Sequence, residues 1–375
     1  MKFCSLVAVA LAAIFGCASA SGACRLCYPP QRKTLVESIE SSDAAAFAKL
    51  VRTEHAWEFD HPSTLRAAKS IMGGTLIRVG EEVEYHFLDD PADYEDFLLV
   101  RYKLQQKDFH TVAIGIPKNV KEYVRTMTGI PKDDVRRLLH AFQFLEGEDD
   151  DLREESYGEF AKCSYKEMKA LSGKLDRDQL VAWIEDPQVR DWRKRLYFIL
   201  LSLNGSQDDL PMLAKMVETG YERRQPAFDA IVACYLQLGG IEALSRIERD
   251  YLINDDVGLN KTCAVLRSLR FHVEEDTDAI PRNRLIQSFR LLLGRPQLAD
   301  VVVADLARFQ DWESMPQLVA LFENSAEKDL WLRNRVASYL KTCPLPEAKD
   351  ALARLRKVDA RAVGFAKPFC LEDND

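Results

Sequence analysis

Two cysteines near the start of the chain, Cys24 and Cys27, have the spacing that allows the most specific chemistry in this sequence. A Cys-x-x-Cys pair can form a disulfide, act in thiol exchange or supply half of a metal site. Thiol exchange favours a pair that opens a helix, because the helix dipole lowers the thiol pKa. Tyr28-Pro29-Pro30 prevents an immediate helix, and no second Cys-x-x-Cys completes a zinc site. We therefore favour a structural disulfide, between the two or to a later cysteine, over partner-facing, metal-binding and redox roles.

No other local pattern matches a catalytic signature. The six histidines show no His-Glu-x-x-His spacing, and the chain has neither a Gly-x-Ser-x-Gly elbow nor a complete phosphate-binding loop. The acidic run 148–155 lacks the Asp-x-Asp-x-Asp-Gly loop of a specific calcium site and is typical of a linker or helix start. We therefore predict no catalytic residue, no metal and no cofactor, although an active site built from distant residues would leave no local motif.

Basic residues concentrate late in the chain and give a second candidate site. One interpretation is a stripe that binds an anion or a partner protein, and the other is the solvated face of amphipathic helices. The second interpretation is the simpler one. The candidate interaction stripe comprises Arg282, Arg284, Arg290, Arg295, Arg354, Arg356 and Lys357.

The first 20 residues have the composition of a secretory signal peptide. Lys2 precedes an uncharged apolar stretch, and Ala18-Ser19-Ala20 provides the small residues of a cleavage site. Cleavage after Ala20 predicts an exported protein, either periplasmic or extracellular, and a later small-residue site would instead leave Cys24 first. A lipid anchor on Cys17 is disfavoured because Phe15 fits that signal poorly.

Net charge and the lack of a further long apolar segment narrow the classes of partner that the sequence predicts. Loss of Lys2 with the signal leaves 50 basic residues against 59 acidic ones, a net charge of −9. This sign argues against nucleic acid, whose phosphates favour a clustered positive surface. No segment after the signal is long and apolar enough to predict a transmembrane span. Seven of the nine cysteines survive cleavage, so at least one thiol is left over from pairing within the chain.

Residues 21–131 predict a small β-rich module. Short runs of β-branched, aromatic or small apolar residues are separated by turn-forming clusters, a pattern typical of a small barrel or sandwich. The runs are Ala44–Val51, Leu76–Val79, Val83–Phe87, Phe97–Val100 and Thr111–Ile114, and a helix is predicted over Asn119–Met127.

Residues 132–360 change to a period of 3.6, which predicts amphipathic helices. Helix pairs joined by short turns recur about every 35–45 residues, which favours an α-solenoid over a compact bundle. Glycines mark predicted helix ends, for example Gly239-Gly240 and Gly294. Residues 361–375 are predicted to form a C-terminal tail, and the fold class is α+β with several domains.

The first module resembles the netrin-like module of tissue inhibitors of metalloproteinases, which is an OB-fold barrel. The resemblance rests on Cys24 and Cys27, Pro29-Pro30, the run Ser42–Phe47 and the run Phe97–Val100. That family begins Cys-x-Cys and chelates a protease zinc through its first cysteine. Because this chain has Cys-x-x-Cys, the resemblance implies the OB fold and does not extend to protease inhibition.

The second region is similar to HEAT-like repeats from about Tyr157 to Asp359, notably over Trp331 to Arg356. The whole layout resembles an uncharacterised family of exported bacterial proteins, through the segments Tyr157–Lys162 and Leu180–Ile184. We therefore expect an exported interaction or scaffold protein of the cell envelope, with another protein as partner. The alternative is a thiol-dependent or metal-assisted enzyme centred on Cys24 and Cys27.

Overall fold

The computed structural model describes residues 24, 26–27, 33–53, 62–87, 90–104, 108–219, 227–326 and 329–370. The predicted signal peptide, Cys17 and the last five residues lie outside the described residues. The chain divides into two compact units, Met1–Leu171 and Ser172–Asp375. The first unit combines a β-sheet with helices and the second is helical, which confirms the predicted α+β class.

The sheet of the first unit has five antiparallel strands that curl into a half-barrel. Their order is β3-β2-β1-β4-β5, so β1 lies at the centre. Three of the predicted runs, those of β1, β4 and β5, are confirmed as strands, and β3 confirms part of a fourth. The strands are β1 Ala44–Arg52, β2 Ser63–Met72, β3 Glu82–Tyr85, β4 Asp96–Lys103 and β5 Phe109–Ile116.

The small residues of β1 let both faces of this central strand be buried. Ala44, Ala46 and Ala48 lie in the main hydrophobic cluster of the sheet, together with Phe97 and Leu99 of β4. On the other face Phe47 is also buried, and the ammonium of Lys121 lies 5.6 Å from the centre of its ring. The apolar run that predicted a buried strand therefore forms the middle of the core.

Two predictions for the sheet were incomplete. Leu76–Val79, expected as a strand, forms a turn in which the Leu76 amide donates to the Gly73 carbonyl (2.8 Å) and Ile77 is buried in the sheet core. Gly73 has φ +60°, and a Cβ atom there would collide with the Asp43 carbonyl oxygen and with Ala44. The sequence also gave no sign of β2, whose Ala, Lys and Ser residues have low strand propensity.

Five α-helices lie among the described residues of the first unit: α1 Leu35–Glu40, α2 Val120–Gly129, α3 Val135–Phe142, α4 Asp150–Ala161 and α5 Tyr165–Lys169. Helix α2 is the one predicted after the last strand. The acidic run begins α4, where Asp149 accepts a hydrogen bond from the Leu152 amide (3.0 Å), so its interpretation as a helix start is confirmed. The first unit extends to Leu171, whereas the sequence places the end of the β-rich module at residue 131.

Eleven described helices form the second unit, with short 3-10 turns between some of them. They are α6 Arg177–Glu185, α7 Asp191–Asn204, α8 Leu210–Thr219, α9 Phe228–Ile247, α10 Leu259–Glu275, α11 Arg282–Leu291, α12 Pro296–Arg308, α13 Met315–Asn324, α14 Leu330–Thr342, α15 Pro346–Val358 and α16 Ala360–Phe365. The segment predicted as a tail thus begins within a short helix. The arrangement of these helices as HEAT-like pairs stays a prediction.

Helix α9 contains the backbone break that its glycine pair predicted. Gly240 has φ +58° and ψ −140°, and a short π-helical segment, Glu248–Ile253, follows the helix. Among the described residues, Phe228–Ile253 is the one helical stretch long and apolar enough to cross a membrane by length and composition. Core helices of soluble proteins pass the same test, and 56% of its most apolar window is buried inside the structure.

Candidate functional site

The cysteine pair singled out by its spacing forms a turn that meets a third cysteine. The Cys27 amide donates to the Cys24 carbonyl (3.0 Å), and the Cys24 amide donates to the carbonyl of Cys163 (2.8 Å). Cys24 is 3% exposed, and Cys163 lies two residues after the end of α4. The fold therefore joins the start of the described chain to the end of a helix about 140 residues later.

A buried ionic cluster lies next to this cysteine contact. Arg137 of α3 forms ion pairs with Glu40 at the end of α1 and with Glu159 of α4, the second with an Nε–Oε2 distance of 2.9 Å. The Lys162 ammonium lies 2.8 Å from Oε1 of Glu159. Burial alone would lower the pKa of Arg137, but the two carboxylates outweigh it and raise that pKa. The guanidinium therefore stays charged and holds three helices together.

Glu155 and Tyr123 extend the cluster. Both carboxylate oxygens of Glu155 accept a hydrogen bond from the Leu35 amide at 3.0 Å, which fixes the first turn of α1. Burial, and then the negative charges of Glu159 and Glu155, raise the pKa of Tyr123 well above its ordinary value. Among the described residues, Tyr123 Oη and Arg137 Nη2 are buried polar atoms without a hydrogen-bond partner. The raised pKa means that the Tyr123 phenol stays protonated and neutral beside these carboxylates.

The thiol of Cys163 is poorly suited to nucleophilic chemistry. Its Sγ donates to the Glu159 carbonyl (3.0 Å), and burial, reinforced by Glu167 and Glu159, raises its pKa to about 12. A reactive cysteine needs the opposite shift, because the thiolate is the nucleophile. Within the described residues no group of three or more His, Cys, Asp or Glu side chains is arranged to hold a metal ion. The hydrogen bonds and ion pairs around Cys163 can therefore hold segments of the first unit together.

The predicted basic stripe consists of residues in several different environments. Arg284 forms a two-pronged ion pair with Glu248, with contacts of 2.5 and 2.6 Å, and Arg290 pairs with Asp311. Arg282 lies over the Phe309 ring, 5.8 Å from its centre, and donates to the Phe309 carbonyl (3.4 Å). These three guanidinium groups hold helices and turns of the second unit together.

Arg295, the fourth residue of the stripe, is buried. It is 5% exposed and donates to the carbonyls of Tyr251 (3.1 Å) and Val257 (2.8 Å), the first of which belongs to the π-helical segment. It also lies 3.3 Å from the carboxylate of Asp255. This arginine satisfies carbonyl groups at a helix end, where cations and donors are favoured.

The last three residues of the stripe lie on α15 and are exposed. Arg354 pairs with Glu323 of α13 (2.8 Å). Arg356 and Lys357 lie in the last turn of α15, where positive charge favours the helix dipole. The binding role of the stripe stays a prediction, and its exposed members are Arg282 and the three residues of α15.

The most exposed large apolar side chain of the described residues is in the second unit. Trp331, in the first turn of α14, is 75% exposed, and its neighbour Leu330 is also exposed. The Arg335 guanidinium, one turn later, lies over the Phe369 ring at 5.7 Å from its centre. The sequence places Trp331 at the start of the HEAT-like segment and does not predict its exposure, because an amphipathic helix normally turns a tryptophan inward.

Comparison of the chain with protein-family models, with curated proteins and with solved structures finds no match in any of the three.

Proposed function

We propose that the chain is an exported interaction protein of the cell envelope, periplasmic or extracellular, which binds a partner protein through the second unit. The single observation that carries this proposal is the exposure of Trp331 at the start of a well-packed helix. Tryptophan and arginine are enriched among the residues that contribute most to protein–protein binding, whereas lysine and glutamate are depleted from interface centres. The surface comprising Leu330, Trp331 and Arg335, hereafter the α14 surface, has this composition.

Recurring contact distances along the chain support a stack of helix pairs. Ion pairs join Arg177 to Asp209, Arg195 to Asp229 and Arg270 to Asp305, and in each the arginine precedes the aspartate, by 32, 34 and 35 residues. A helical repeat contacts mainly its neighbours, so contacts between equivalent positions recur at the length of one repeat. We interpret the second unit as HEAT-like pairs, an architecture whose extended surfaces suit protein binding.

The sheet supports the OB-like interpretation of the first unit. An OB fold is a five-stranded, partly open barrel. The order β3-β2-β1-β4-β5, with β1 between β2 and β4, is that of an OB barrel opened between β3 and β5. The resemblance to netrin-like modules is compatible with this order, and we assign the unit a binding or supporting role.

The alternative, a thiol-dependent or metal-assisted enzyme centred on Cys24 and Cys27, is less well supported. The third cysteine at this position, Cys163, has a raised thiol pKa, which opposes thiolate chemistry. The buried charges around it are used in contacts between helices.

The test compares three forms of the full-length exported protein after cross-linking in cells: wild type, Trp331→Ser and Val79→Ser. Val79 is 65% exposed in the first unit and serves as a matched control for loss of an exposed apolar side chain. We expect a partner, identified by mass spectrometry, whose recovery falls at least about tenfold in Trp331→Ser and is unchanged in Val79→Ser. A fourth form, Trp331→Phe, should restore most of the recovery. Equal recovery with all three forms would refute the assignment of binding to the α14 surface.

A further inference from the structure

We propose that Cys24 and Cys163 form a disulfide that fastens the start of the exported chain to the end of α4. The inference rests on the proposed export, because disulfides persist in oxidising compartments. It is independent of the partner-binding role, because it concerns only the first unit. It is a covalent site formed by residues that are 139 positions apart in the sequence and adjacent in the fold.

Backbone geometry places the two residues within disulfide range. The Cys24 amide nitrogen is 2.8 Å from the Cys163 carbonyl oxygen. With standard bond lengths this contact puts the two Cα atoms about 5–6 Å apart, inside the range of about 4.4–6.8 Å found in disulfides. The hydrogen bond also holds the two backbones against each other. The Cys163 Sγ donates to the Glu159 carbonyl (3.0 Å), so formation of the bond requires this side chain to turn toward Cys24.

Cys27 is the competing partner for each of the other two cysteines. After removal of the signal, Cys24, Cys27 and Cys163 are the three cysteines of the first unit, so one is left over if two pair. Cys24 is the one whose backbone contacts Cys163 directly, and it is buried, whereas Cys27 is half-buried. A buried position suits a structural bond, because such bonds resist reduction when thiols cannot reach them.

The bond forms by thiol–disulfide exchange with an oxidising disulfide such as oxidised glutathione. The Cys24 and Cys163 thiols lose two protons and two electrons as the S–S bond forms between them. The S–S bond of glutathione breaks, and its two sulfurs take up those electrons and protons as two molecules of reduced glutathione.

Trypsin makes the three pairings distinguishable. Cleavage after Arg25 separates Cys24 from Cys27, and cleavage after Lys162 and Lys166 releases Cys163 in a four-residue peptide. The full-length chain is refolded in a mixture of oxidised and reduced glutathione, alkylated, digested without reduction and analysed by mass spectrometry. We expect the peptide ending at Arg25 linked to the peptide Cys163–Lys166 as the main cross-linked product.

Four variants, each with one cysteine replaced, test the assignment, so that the result does not depend on whether any one of them folds. Cys27→Ser and Cys370→Ser should keep the link, whereas Cys24→Ser and Cys163→Ser should abolish it, with folding of each variant checked by circular dichroism. A main link from Cys24 to Cys27, or from Cys27 to Cys163, would overturn the proposal. So would full alkylation of Cys24 and Cys163 in oxidised, folded wild-type protein.

Discussion

Asp229 joins three helices of the second unit, α7, α9 and α10, and its removal should destabilise that unit strongly. From the first turn of α9 its carboxylate accepts two hydrogen bonds from Arg195 of α7 (2.7 and 3.0 Å) and one from Arg267 of α10 (2.8 Å). Its side chain is 2% exposed. Burial alone would raise the pKa of Asp229, but the two arginines lower it overall, so the carboxylate stays ionised.

The expected cost follows from the burial of each partner. Loss of one member of a buried ion pair costs about 3–5 kcal/mol, because the other charge is left buried without compensation. The Arg195 side chain is 12% exposed and falls in this class, whereas Arg267 is 52% exposed and adds less than about 1 kcal/mol. We therefore expect Asp229→Ala to lower the free energy of unfolding of this unit by about 3–4 kcal/mol. For a unit of this size that is a fall in Tm of roughly 6–16 °C.

Tryptophan fluorescence gives a selective assay for this unit. Four of the five tryptophans lie after Leu171, so the fluorescence change during urea or thermal unfolding reports mainly on the helical unit. The control is Glu323→Ala, which breaks the exposed pair with Arg354 and should cost less than about 1 kcal/mol. If Asp229→Ala cost no more than Glu323→Ala, the interpretation of Asp229 as a buried junction would be refuted.

Three further predictions concern acid sensitivity, a turn and the mature terminus. His272 is the one histidine after Leu171, and burial lowers its pKa. As the pH falls, the unfolded unit therefore binds this proton before the folded unit does. At pH values below about 6.5 the free energy of unfolding should decrease, by at most about 1.4 kcal/mol for each pH unit. His272→Gln should make this pH dependence less steep in unfolding followed by fluorescence. Gly73→Ala should lower the free energy of unfolding of the first unit by at least about 2 kcal/mol more than Gly80→Ala does, measured by circular dichroism. Both glycines have positive φ, but only Gly73 lacks space for a Cβ atom. The intact mass of the exported protein should correspond to a chain that starts at Ser21, and a mass that includes residues 1–20 would contradict the signal peptide.

The parts of the fold that the sequence predicted are those in which local pattern and burial agree. The small apolar residues of Ala44–Val51 and the aromatic and branched residues of Phe97–Val100 are buried in the sheet core, and both runs are strands. Strand β2 was missed because only its first half alternates, with Leu65 and Ala67 inward. Leu76–Val79 resembles a strand in composition, but the neighbouring Gly73 turns the chain and leaves Ile77 to fill the core.

The buried ionic cluster could not be predicted from the sequence, because its members share no local spacing. Glu40, Arg137 and Glu159 lie on three helices, and each alone looks like an ordinary charged position on an amphipathic surface. The same limit applies to the contact between Cys24 and Cys163. The Cys-x-x-Cys spacing drew attention to two cysteines, and only the fold brings the third one to them.

The distribution of charge in the second unit separates residues that hold its helices from residues available to a partner. Arg284, Arg290 and Arg295 are engaged by carboxylates or carbonyls, so their substitution would alter binding only through loss of stability. Trp331 is in the opposite situation, because an exposed side chain contributes little to folding and its replacement usually changes stability by less than about 0.5 kcal/mol. Binding and stability should therefore respond to different substitutions. A variant at Trp331 that lost both together would show that the tryptophan supports the fold and not an interface.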